Sequence, residues 1–255
     1  MIYFIFGRNL FIVRIIQAII GSLVSVLIYY LGKNTFSERS GILAGLFSAV
    51  HLGFIAQSAK ILTEGVGIFF FLCAVIFFDK LKTQYYKKRY YIFAGLMMGI
   101  TSLIRPNLSI LFPLLILLPL YSLLKKSAGI KTVMKYMVIC IFAFIMPLVP
   151  WIVRNYVAFH SFVPLSTLRG MALYSSYKPL NGKIYGFTPK DEVTQKSRML
   201  SSEIEQDRFL TDEAIKFIKS DPSAFFKLAG LKLAYLFSPF DWELVRDRRV
   251  YNYLY

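Results

Sequence analysis

The sequence predicts an all-α, polytopic transmembrane helix bundle of about six spans, followed by an external, partly helical C-terminal segment. Three observations carry this. Mean hydropathy is +0.56, with 56% hydrophobic and only 17% charged residues, outside the range of soluble globular chains. Several apolar runs approach the roughly 20 residues that a helix needs to cross the hydrocarbon core. Charge, finally, is uneven: residues 1–154 carry 16 Lys/Arg against three acids, and residues 155–255 carry 14 against 11. The net charge of +16 therefore belongs mainly to the apolar half. There it sets topology, and it does not mark a soluble nucleic-acid-binding face.

The expected spans are 10–32, 41–55, 66–78, 92–104, 108–124 and 137–153. Pro106, Pro147 and Pro150 mark turns or kinks at their ends, because proline lacks the N–H that continues a helix. Loops 33–40, 79–90 and 125–136 hold two, five and four Lys/Arg. The opposite side has only Arg8, Lys60 and Arg105 before the long tail. By the positive-inside rule the basic loops are cytoplasmic, which puts the N-terminus and residues after about 153 outside. Residues 1–156 thus read as a transmembrane module, and 157–255 as an external loop region with an interfacial helix. In the second part Gly170, Pro179, Gly182 and Gly186 punctuate a turn-rich stretch, and residues 190–219 read as two polar helices ending at Asp221-Pro222. SAFFKLAGLKLAYLF then has the pattern of an interfacial helix, with Lys227 and Lys232 reaching for water.

Topology makes a few charges conspicuous. Lys60, Glu64, Arg105 and Arg154 all lie where apolar runs meet the outer face. Charge at membrane depth is costly and tends to mark function. Three cations at one level form a pocket for an anion such as phosphate, since arginine offers a planar fork and lysine a point charge. Simple interfacial anchoring accounts for any one of them alone. Glu64 follows Lys60 by four residues, so a continuous helix would pair them on one face. Alternatively, Glu64 orients a sugar or a divalent metal. His51 reads as a packed polar residue within a span, and His160 as a loop residue. Cys73 and Cys140 read as buried small hydrophobes. The sequence has no glycine-rich phosphate loop, HExxH or GxSxG, which argues against an ATPase, a metalloprotease and a serine hydrolase.

The stretch PWIVRNYVAFHSFVPLSTLRGMALYSSYKP, residues 150–179, resembles a Pro-Trp-x-x-Arg-Asn-Tyr … Phe-Val-Pro-x-Ser-Thr pattern of bacterial membrane glycosyltransferases of the GT-C class. These are related to protein mannosyltransferases and the lipid A aminoarabinose transferase. ILTEGVGIFFFLCAVIFF is similar to the family's Thr-Glu/Asp start of a span, and FAGLMMGITSLIRPNLSILFPLLILL to its Gly-x-x-x-Gly and Arg-Pro helix pair. The resemblance implies transfer of a sugar from a polyprenyl-phosphate carrier to a glycan, lipid or protein acceptor at the outer face of a bacterial inner membrane, with inversion. Carried over by position, Arg105, Arg154 and Asn155, with Lys60, would bind the carrier phosphate, and Glu64 would support the sugar or a metal. The family's general base lies in an external loop after one further N-terminal span, and neither has a counterpart here. The chain therefore reads as a fragment or truncated form, not expected to catalyse transfer alone. The alternative reading is a non-catalytic membrane protein that binds or moves polyprenyl-linked sugars.

Overall fold

The computed structural model describes residues 9–59, 62–125, 128–177 and 191–236. Pro179, Gly182, Gly186, Lys60 and the YNYLY terminus lie outside the described residues. The described chain is helical throughout and divides into two compact units, Met1–Leu165 and Ser166–Tyr255.

In the first unit α1 (Leu10–Thr35) and α2 (Glu38–Val50) form a tight helical hairpin. Asn9 caps α1 by accepting from the Phe11 and Ile12 amides, and Ser37 caps α2 through the Ser40 amide. A 2.7 Å Lys33–Glu38 ion pair closes the turn. Gly41 is what lets the helices meet: a Cβ there would lie 2.7 Å from the Lys33 nitrogen and the Tyr29 carbonyl.

α3 (Leu52–Ala59) follows, then α4 (Glu64–Lys80) and α5 (Lys88–Ile104). A 3-10 turn over Pro106–Ile110 leads into α6 (Leu111–Lys125), and α7 (Ile130–Ile145) and α8 (Leu148–Phe159) complete the unit. Ala74, Phe78, Tyr91, Ala94, Met98 and Cys140 form its buried core. Phe112 and Phe144 stack nearby at 4.0 Å between ring centroids. α5 crosses α7 at close range. Added Cβ atoms at Gly95 and Gly99 would run into the Cys140 and Phe144 carbonyls, so the Gly-x-x-x-Gly pair serves as a backbone-contact stripe. At the other end of α5, Tyr91 donates to the Tyr85 carbonyl (2.8 Å) and Tyr136 to the Tyr86 carbonyl (2.6 Å), tying down the basic loop.

Two helices are long and apolar enough to cross a membrane, Leu10–Thr35 and the stretch Pro106–Lys125. The pair α7–α8, bent by 46°, adds a third if it is a single broken span. The described helices thus supply two or three of the roughly six expected crossings. Lengths explain the difference: α4 and α5, with 17 residues each, reach only about 25 Å at 1.5 Å per residue, short of a core about 30 Å thick. The run expected over 41–55 is not one helix. His51 takes an extended conformation (φ −68°, ψ 115°) between α2 and α3, exposed and facing Phe54, and is not packed inside a span. The run over 137–153 likewise bends at Met146–Pro147, because Pro147 cannot donate to the preceding turn.

In the second unit α9 (Arg169–Tyr177) packs on α11 (Glu203–Ser220) around Tyr174, Leu210 and Ala214, with the short α10 (Glu192–Arg198) beside them. Asp207, largely buried, accepts from the Gly170 amide (2.6 Å) and pairs with Arg169 (3.5 Å). The Tyr174 hydroxyl donates to Asp191. Burial, and then that bond, push the Tyr174 phenol above the usual tyrosine range. α12 (Pro222–Leu236) begins at Asp221, whose carboxylate accepts from the Ala224 amide (2.9 Å). Its lysines diverge from the expectation. Lys227 is exposed, but Lys232 turns inward and donates to the Ser176 carbonyl near the end of α9, and burial lowers its pKa.

Candidate functional site

Two groups of residues in the first unit hold Glu64, Arg105 and Arg154. The first forms at the start of α4 and the end of α5. Pro106 disfavours a helical conformation for the residue before it, and Arg105 accordingly leaves α5 at φ −135°, ψ 87°. Its side chain crosses the first turn of α4 and ion-pairs with Glu64, the first residue of that helix. The crossing depends on Gly67, where a Cβ would stand 2.9 Å from the Arg105 Cγ. Each side chain of the pair is about a third exposed, at 37% and 31%, so the attraction is partly screened. Glu64 also lies at the positive end of the α4 dipole, where a negative charge is well placed.

Only one carboxylate oxygen is engaged. Glu64 Oε2 is buried and has no hydrogen-bond partner among the described residues. A second such oxygen belongs to Gln17 of α1, whose Nε2 donates to the Leu62 carbonyl at 2.5 Å and whose Oε1 is buried without a partner. Each unmet acceptor leaves a desolvation cost of about 1–3 kcal/mol that a donor would recover. Gln17 escaped the sequence reading, although it is the single carboxamide in the apolar run 10–32, which was the available signal.

Lys60, the ion-pair partner expected four residues before Glu64, lies outside the described residues. Leu62 and Thr63 are non-helical and α4 begins at Glu64. Glu64 takes Arg105 as its partner.

The second group forms on α8. The Arg154 guanidinium lies 5.3 Å from the Trp151 ring and 5.9 Å from Phe159, and Nη1 donates to Asn155 Oδ1 at 3.0 Å. Asn155 is buried, and its Nδ2 donates to the Val163 carbonyl at 2.9 Å. Trp151 Nε1 donates to the Leu165 carbonyl at 3.0 Å. His160 ends the helix in the left-handed region (φ 49°), turning the chain back so that these two side chains can pin the return segment. Arg154 is exposed and pairs with no carboxylate among the described residues. This arrangement suits an anion: a guanidinium braced by Asn155 beside an aromatic ring, with donors to spare. No hydrogen bond or ion pair joins it to Glu64–Arg105 among the described residues.

A divalent metal does not fit the first group. Among the described residues no three His, Cys, Asp or Glu side chains converge, and the one carboxylate present is already offset by Arg105.

Residues 1–151 match the family model described as dolichyl-phosphate-mannose-protein mannosyltransferase. The chain belongs to that family of membrane glycosyltransferases, and its apolar helices mark it as an integral membrane protein. The match contains Glu64 and Arg105 and ends at Trp151, just short of Arg154 and Asn155. No curated protein and no solved structure matches the chain.

Proposed function

We propose that this chain forms the membrane-embedded, carrier-binding part of a glycosyltransferase. It takes a sugar from a polyprenyl-phosphate carrier for an acceptor (glycan, lipid or protein) on the non-cytoplasmic side of a bacterial inner membrane, within a bundle of about six spans. The observation that carries this is the Arg154 arrangement, an exposed planar cation braced by Trp151 and Asn155, in a chain of this family. Arg154 binds the carrier phosphate. Breaking the glycosidic bond increases negative charge on that phosphate, and a pre-positioned guanidinium stabilises the charged state more than the ground state. Asn155, buried and bonded at both ends of its amide, acts through Arg154 as a positioning residue. Glu64 faces the sugar, and its ion pair with Arg105 keeps it oriented.

The test is sugar transfer from synthetic polyprenyl-phosphate sugars, in membranes of cells that make the chain against membranes of cells lacking it. Chain-dependent release of polyprenyl phosphate with a glycosylated acceptor is the expected result. Equal turnover with Arg154→Ala would remove Arg154 from its assigned role. Carrier binding with no release would favour a protein that binds or moves lipid-linked sugars without transferring them.

A further inference from the structure

We infer that Gln17 is a sugar-recognition residue, and that it and Glu64 together present two hydrogen-bond acceptors to hydroxyl groups of the lipid-carried sugar. The inference rests on the glycosyltransferase reading and adds a residue that neither motif nor family position singles out.

The orientation of the Gln17 amide is fixed by chemistry. The Leu62 carbonyl can only accept, so the end of Gln17 that meets it at 2.5 Å must be the NH2 group. Oε1 therefore faces the other way, buried and without a donor. Two residues beyond Leu62, Glu64 offers Oε2 in the same state, its other oxygen being held by Arg105. Two buried acceptors on neighbouring elements, each lacking a donor, describe the complement of a group that carries only donors at those points. A metal ion would need more oxygen ligands than converge here. A phosphate would be repelled by both oxygens. Sugar hydroxyls satisfy both without adding charge, and Val13, buried, lies one turn before Gln17 on α1.

The experiment measures affinity of the full chain, in lipid nanodiscs, for bare polyprenyl phosphate and for its mannosyl, glucosyl and galactosyl forms. Wild type should prefer at least one sugar-bearing carrier over the bare carrier. Gln17→Met should lower that preference about three- to tenfold, the loss of one neutral hydrogen bond, with affinity for the bare carrier unchanged. Gln17→Glu keeps an acceptor oxygen while giving up the Leu62 bond, so it should retain more of the preference than Gln17→Met. A purely structural role would instead shift bare and sugar-bearing carriers together. As an arm independent of variant folding, monodeoxy analogues of the preferred sugar should bind wild type more weakly at one or two positions. An unchanged preference in Gln17→Met, equal losses for both carriers, or indifference to every deoxy analogue would each overturn the inference. Those results would leave the glycosyltransferase reading standing. Wild type that binds neither carrier would overturn that reading, and the inference with it.

Discussion

Arg105, freed from α5 by Pro106, reaches across Gly67 to ion-pair with Glu64 at the first turn of α4. Four residues of quite different chemistry thus form one device. The proline releases the arginine, the glycine clears its path, and the carboxylate holds its far end.

Gly67→Val tests that device. The new side chain would start 2.9 Å from Arg105 Cγ and 3.4 Å from Ile104 Cγ2, so Arg105 must move. We expect a stability loss of about 1–3 kcal/mol from overpacking, read by thermal unfolding in detergent. Sugar-carrier affinity should fall as well. Because the Glu64–Arg105 pair is partly exposed, Glu64→Gln should cost less than about 1 kcal/mol in the same assay while weakening sugar-carrier binding.

Asn155→Ala should destabilise the end of α8 by about 1–3 kcal/mol, since it leaves the Val163 carbonyl without its buried donor. It should also weaken binding of bare polyprenyl phosphate, because Arg154 loses its brace. Arg154→Lys keeps the charge but loses the planar fork over Trp151, and should weaken carrier binding without lowering the unfolding temperature.

The α5–α7 crossing leaves no room at Gly99, where a Cβ meets the Phe144 carbonyl and lies 2.6 Å from Pro147 Cγ. Gly99→Leu should therefore cost about 3 kcal/mol or more and lower the yield of folded protein. Gly65, with open space around its Cβ position, provides the control: Gly65→Ala should be neutral or slightly stabilising.

Tyr174 should give the second unit a pH dependence. Its pKa is raised in the folded state above the ordinary value of 10.0. Below that pH both folded and unfolded chains keep the proton and the contribution is whole. As pH rises past it, the unfolded chain loses the proton first and stability falls. Unfolding measured from about pH 8 to 11 should drop more steeply for wild type than for Tyr174→Phe, and parallel curves would contradict this.

Much of the fold was legible because hydrophobic run length and prolines act locally. The first span, the break at Arg105-Pro106, and the two polar helices before Asp221-Pro222 all follow from such signals. The break at His51 did not, because no proline marks it and the flanking residues are as apolar as a span. The pairing of Glu64 with Arg105 was not legible for a related reason: it depends on Pro106 turning Arg105 out of α5 toward a helix distant in sequence, which no local spacing encodes. Gln17 was invisible because its significance lies in an acceptor left open by a contact 45 residues away, at Leu62. No local pattern encodes that.

The most direct test of the account is the affinity of bare polyprenyl phosphate for the wild-type chain and for Arg154→Ala, measured in nanodiscs at matched protein stability. Wild type should bind, and removing the guanidinium should weaken binding about tenfold or more, the loss of a charge-assisted hydrogen bond. Equal affinity in the two proteins would contradict it.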